Sequence, residues 1–188
     1  DEMYKNDNDF SFNTPLASRL EGISRPHFFQ GVTTAVNRLF LIIKPTHAIF
    51  GQKDAQQLLI IKQMAKHNNY GITLLEGPII RSDNGLALSS RNAYLNTAER
   101  KIANNIYVGL MKIKSALLSG EKDAEILKTI FTNHINGFKL LSIDYISIAS
   151  VNSLNEIVGT IGCNALISAA VFLNKVRLID NFYYSPST

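Results

Sequence analysis

"THAIFGQKDAQQLLIIKQMAKHNNYGITLLEG", residues 46–77, decides the fold. Its first part, "THAIFG" (46–51), is a short apolar run closed by a glycine and reads as a strand. The middle, "DAQQLLIIKQMAKHNN" (54–69), places Leu58, Ile61 and Ala65 on one helical face. The end, "YGITLLEG" (70–77), reads as a second strand. Strand, helix, strand at these lengths predicts a parallel sheet with a crossover helix. Upstream, "GVTTAVNRLFLIIKP" (31–45) sets Val32, Val36, Leu39, Phe40 and Ile43 at helical spacing, and Pro45 ends that helix. Residues 1–30 are turn-rich, with Pro15, Gly22 and Pro26.

The rhythm changes after Gly77. Residues 78–96 read as a loop with turn signals at Asp83, Asn84 and Gly85. A long helix is expected over 97–118, with Asn96 as N-cap and Glu99 as its capping-box partner. A further helix falls within 120–137 and stops at Gly137. Three strands follow at 141–150, 165–173 and 175–183, the last two joined at Asn174, which tolerates a left-handed backbone. The fold class is therefore α/β with a parallel sheet, followed by a smaller α+β domain with antiparallel strands. The domains are placed at 1–80 and 81–188.

Composition narrows the function. The 188 residues are 46% hydrophobic and 18% charged, with a net charge of +4. The basic residues are scattered, so nucleic acid is not an expected partner. No apolar stretch approaches the roughly 20 residues of a membrane span, so no membrane is expected either. The single cysteine, Cys163, excludes an intramolecular disulfide and points to a reducing, cytoplasmic compartment. Cys163 is read as a small core residue. His27, His47, His67 and His134 share no metal-ligand spacing, and no metal site is expected. The carboxylates Asp144, Glu156 and Asp180 have no partner visible in the sequence.

Two stretches carry chemistry. "FGQKDAQQL" (50–58) ends a strand and opens a helix, where α/β sheets bind ligands and backbone N–H groups suit phosphate. Lys53 adds a mobile positive charge there, and Gly51 permits close approach. Equally, Asp54 and Gln57 could simply form a capping box. "LALSSRN" (86–92) groups two hydroxyls and a guanidinium, which suit nucleotide phosphates and charge on a departing pyrophosphate. A polar turn before a helix is the plain alternative.

Together with "LEGISRPHFFQGVTTAVNRLF" (20–40) and "RLIDN" (177–181), these stretches resemble the pantothenate synthetase (pantoate–β-alanine ligase) family, in order along nearly the whole chain. The resemblance implies a Rossmann-like domain of the nucleotidyltransferase type followed by a lid domain. It implies ATP-dependent condensation of pantoate with β-alanine through pantoyl adenylate, releasing AMP and pyrophosphate, with Mg²⁺ assisting. It places Gly51, Gln52, Lys53, Asp54, Ile80, Leu88, Ser89, Ser90 and Arg91 on ATP, with Lys53, Ser89, Ser90 and Arg91 as the catalytic set. Gln57 falls on pantoate, and a homodimer is implied. A non-catalytic nucleotide-binding module is the alternative.

Two departures from the family pattern accompany the resemblance. No HxGH motif is present, so the sequence matches the later two-thirds of the family and is not expected to turn over by itself. "RPHFF" also sets His27 one position early, and no role is assigned to it.

Overall fold

The computed structural model describes residues 10–186. They divide into two compact units, one ending at Pro78 and the other beginning at Ile79. The first unit runs α1 (Glu21–Ser24), α2 (Phe28–Ile43), β1 (His47–Gly51), α3 (Ala55–His67) and β2 (Thr73–Gly77). β1 and β2 pair in parallel, from His47 opposite Thr73 to Gly51 opposite Gly77, with α3 as the connecting helix. Successive strand residues face opposite sides. Ala48, Phe50 and Leu74 therefore meet the core of Phe40, Ile61, Met64 and Ala65, while Ile49 is 70% exposed on the other face. Phe40 packs edge-on to Phe50 and Tyr70.

α2 departs from the expected stripe. Phe40 is buried and Val32 and Val36 lean on the core, but Leu39 and Ile43 are exposed (42% and 64%). Phe29, Thr33 and Asn37 are buried instead. Both polar residues are satisfied where they lie. The Thr33 hydroxyl donates to the Phe29 carbonyl at 2.9 Å, and the Asn37 amide oxygen accepts from the Tyr70 hydroxyl. A buried polar group with its hydrogen bond made carries little penalty, so hydrophobic spacing alone misjudged which face turns inward.

The second unit contains α4 (Thr97–Ala103), α5 (Asn105–Leu118), α6 (Ala124–Asn136), β3 (Leu141–Ser150), β4 (Ala165–Leu173) and β5 (Val176–Tyr184). The sheet is antiparallel with β4 between β3 and β5. Its core joins Ile106, Leu110, Ile113 and Leu117 of α5 and Leu127, Phe131 and Ile135 of α6 to Ile148, Ile167, Ala169 and Val171 of the sheet. The α4 start is the expected capping box of Asn96 and Glu99. Asn174 is left-handed (φ 52°) in the β4–β5 turn. Gly137 ends α6 with an ordinary φ of −67°, not in the left-handed form.

Three expectations are corrected here. The long helix is two, broken at Asn104, a residue of modest helix propensity. Cys163 is exposed, because it lies on the surface connection between β3 and β4 and not in a strand. The three carboxylates all have partners. Asp144 accepts from Arg177, Glu156 pairs with Lys128 and the Ser147 hydroxyl, and Asp180 pairs with Arg81.

His134 on α6 has its pKa lowered, first by burial and then by the nearby Lys112 charge, with a hydrogen bond to the Asn105 backbone acting the other way. The folded chain therefore holds its proton less tightly than the unfolded chain. Stability is unaffected above the ordinary histidine pKa and is lost as pH falls from there through the lowered value. Thermal melts between about pH 7.5 and pH 5 should show a smaller loss of Tm for His134→Gln than for the native chain.

Candidate functional site

In the first unit the candidate residues sit on one strand–turn–helix. β1 ends at Gly51, a short 3-10 turn spans Gln52–Asp54, and α3 begins at Ala55. Gly51 has an ordinary φ of −71°, and a Cβ there would meet nothing within 4 Å. The fold does not require glycine at this point, and the space in front of it is open to a ligand. Asp54 is exposed and its side chain makes no capping bond to α3, so the capping-box reading of Asp54 and Gln57 is not what the structure builds. The first N–H groups of α3 thus keep the anion-binding character of a helix start. Lys53 is half-buried on the same turn.

The two adjacent glutamines have different tasks. Gln56 is buried and fully used: its amide donates to the Leu16 and Arg19 carbonyls (both 2.7 Å), and its oxygen accepts from the Glu21 N–H at 3.0 Å. Gln57, half-buried, is the one available to a small ligand. Gln56→Ala should lower stability by about 1–3 kcal/mol, because buried backbone groups lose their partner. Gln57→Ala should stay within about 0.5 kcal/mol. Urea unfolding of the two variants checks the division.

In the second unit, residues read as a loop form a tight hairpin. Arg81 bridges Ala87, the Leu88 N–H donates to the Ile80 carbonyl (2.8 Å), and the Ser82 N–H donates to the Leu86 carbonyl (3.0 Å). Gly85 turns it with φ +94°, lying so close to Tyr107 that a Cβ would come within 2.3 Å of the ring. Only glycine suits that conformation and that contact. Ile80 and Leu88 are exposed side by side at the open end.

The chain then enters a 3-10 turn, Ser90–Tyr94, whose start is fixed by the Ser89 hydroxyl oxygen accepting from the Arg91 N–H at 3.1 Å. Ser89 keeps its O–H proton as a donor. Ser90 and Arg91 are exposed. Ser89 and Ser90 border an open groove of about 810 Å³, lined also by Ser82, Asn92 and Arg100. Hydroxyls and a guanidinium projecting from a fixed turn can take up a polyanion without any nucleophilic side chain.

Three residues of consequence were not foreseen. One is Gln56. The others are Arg81 and Asp180, which form a bidentate pair at 2.6 and 2.9 Å across 99 positions of sequence. Local pattern carries no signal for a contact at that separation.

Comparison with known proteins shows the family. The profile of the pantoate-beta-alanine ligase family matches residues 1–183. The chain is 46% identical over 186 residues to a pantothenate synthetase of Thermosipho africanus, covering 96% of this chain and 65% of that protein. It is 45% identical over 184 residues to one from Clostridium botulinum, covering 97% and 65%. The chain thus spans 65% of the length of these curated relatives. Among solved structures, the pantothenate synthetase of Thermus thermophilus superposes with a TM-score of 0.89 at 33% identity, covering 96% of this chain and 66% of that one. A pantoate-beta-alanine ligase from Francisella tularensis, complexed with beta-gamma ATP and beta-alanine, gives 0.68 at 31% identity, covering 98% and 63%.

Proposed function

Because the chain belongs to the pantoate-beta-alanine ligase family, we propose that it carries the nucleotide- and pantoate-binding elements of an ATP-dependent ligase joining pantoate to β-alanine. The observation that carries the reading is the turn pinned by Ser89 that leaves Ser90 and Arg91 exposed. The Francisella tularensis relative, complexed with beta-gamma ATP and beta-alanine, supports it.

In this reading the pantoate carboxylate attacks the α-phosphorus of ATP. The α–β anhydride breaks, pyrophosphate leaves, and pantoyl adenylate remains. The β-alanine amine then attacks the acyl carbon and displaces AMP, losing a proton as the amide forms. Lys53 and Arg91 balance negative charge on the phosphates, with Ser89 and Ser90 donating to their oxygens. Gly51, Gln52, Asp54 and Leu88 line the nucleotide, Ile80 offers backbone to the adenine, and Gln57 hydrogen-bonds pantoate. The work is positioning and electrostatics.

Among the described residues no group of three or more His, Cys, Asp and Glu side chains could hold a metal ion. Mg²⁺ commonly binds through substrate phosphates with one or two carboxylates, and the exposed Asp54 beside Lys53 suits that arrangement. When bound, the cation neutralises phosphate charge. The same reading makes the protein a cytoplasmic homodimer. The exposed Leu39, Leu41, Ile42 and Ile43 of α2 supply apolar surface for such an interface.

The test joins the chain to the part of the Thermosipho africanus relative that the match leaves uncovered, and measures AMP release. AMP that forms only when ATP, pantoate and β-alanine are all present is the expected result. A folded chimera that binds ATP yet releases no AMP overturns the ligase reading and leaves a nucleotide-binding module.

A further inference from the structure

We propose that Arg81 and Asp180 are a positioning pair that fixes the Ile80–Leu88 hairpin, and through it the Ser89–Arg91 turn, in the geometry that meets a nucleotide's phosphates. The role rests on the nucleotide-binding reading above.

Asp180 lies on β5 and is only 4% exposed. A carboxylate so placed is costly to bury unless its charge is matched and its lone pairs are used. Both conditions are met. Its two oxygens accept from the two terminal nitrogens of Arg81 at 2.6 and 2.9 Å, and one of them also accepts from the Asn181 N–H at 2.8 Å. Arg81 is equally committed. It donates a further bond to the Gly85 carbonyl across the hairpin at 3.0 Å, and its guanidinium lies 4.2 Å from the Tyr107 ring centroid. A guanidinium engaged with a carboxylate, a carbonyl and an aromatic face is not a phosphate ligand. Arg81 and Arg91 therefore divide the work, with Arg81 facing the protein and Arg91 facing solvent.

The second strand of the hairpin is pinned separately. The buried Asn92 amide donates to the Ala87 carbonyl at 3.1 Å, and Gly85 rests against Tyr107. With Arg81 tied to the sheet and Ala87 tied to Asn92, the exposed donors hang between two anchors. The fork geometry matters as well as the charge. Lysine could keep the positive charge but not the two parallel bonds together with the bond to Gly85.

The test reads amide hydrogen exchange of the 188-residue chain without nucleotide, then its affinity for MgATP by titration, for wild type, D180N and R81K. The expected result for D180N is a tenfold or greater loss of protection at Ser82, Gly85, Leu88 and Asn92. The Ile148 and Ile167 amides of the sheet should keep theirs, and MgATP should bind at least tenfold more weakly. R81K should fall between wild type and D180N on both readouts. If D180N loses protection throughout, R81K carries the comparison alone. Unchanged hairpin protection overturns the proposal, as does lost protection with unchanged affinity. A wild-type chain that holds its hairpin protected but does not bind MgATP overturns the nucleotide reading itself. That failure is distinguishable, because the exchange arm uses no nucleotide.

Discussion

Arg91→Ala is expected to lower AMP formation by roughly 10²–10³-fold in the chimera while leaving the fold intact. The side chain is exposed, and the backbone N–H of Arg91 holds the turn by donating to the Ser89 hydroxyl oxygen. Alanine keeps that N–H, so Tm should move by no more than a surface substitution usually causes, about 0.5 kcal/mol in stability. In the proposed reaction, what is lost is a bidentate cation that would meet developing phosphate charge. The loss should therefore fall on kcat more than on KM for pantoate. Arg91→Lys should recover part of the rate, because charge returns without the fork. Steady-state AMP release with a parallel thermal melt checks both halves. Activity equal to wild type would remove Arg91 from the reaction.

Phe131→Ala should have the largest effect on stability, about 3–5 kcal/mol. Phe131 has no exposed surface and sits in the core shared by α5, α6 and the sheet. Its ring presses on Gly109 of α5, where a Cβ would lie 2.8 Å away. The cavity left by truncation cannot collapse easily between a sheet and two helices. The same contact makes Gly109→Ala destabilising by about 1–3 kcal/mol through overpacking, despite alanine's better helix propensity. In the Phe131→Ala background the Gly109 substitution should become nearly neutral or favourable, because the atom it strikes is gone. Urea unfolding of the two single variants and the double closes the cycle. Additive effects would show that the two residues do not share this packing.

The fold was legible wherever a residue's role depends on near neighbours. Apolar spacing placed α3 with Leu58 and Ile61 inward, and short apolar runs placed the five strands. Asn96 with Glu99 marked the start of α4, and Asn174 marked the β4–β5 turn. The grouping of Ser89, Ser90 and Arg91 was visible as a set of donors, and the structure leaves Ser90 and Arg91 exposed on one short turn. Each of these signals spans a few residues, the range over which hydrogen bonding and helical or strand geometry act directly.

Tertiary structure decided the rest. Whether Asp54 caps α3, which of Gln56 and Gln57 is spent inside the protein, and why Thr33 and Asn37 turn inward all depend on partners brought in by folding. The plain-looking loop after Gly77 became an anchored hairpin because Asp180, 99 positions from Arg81, lies under it on β5. The sequence by itself determined the five strands, most of the helices, their order and the donors on offer. The tertiary structure determined which donors face solvent and which are consumed by the fold. Periodicity reports only whether a side chain favours water, whereas a buried polar group is placed by the one partner that satisfies it, and that partner has no fixed distance in sequence.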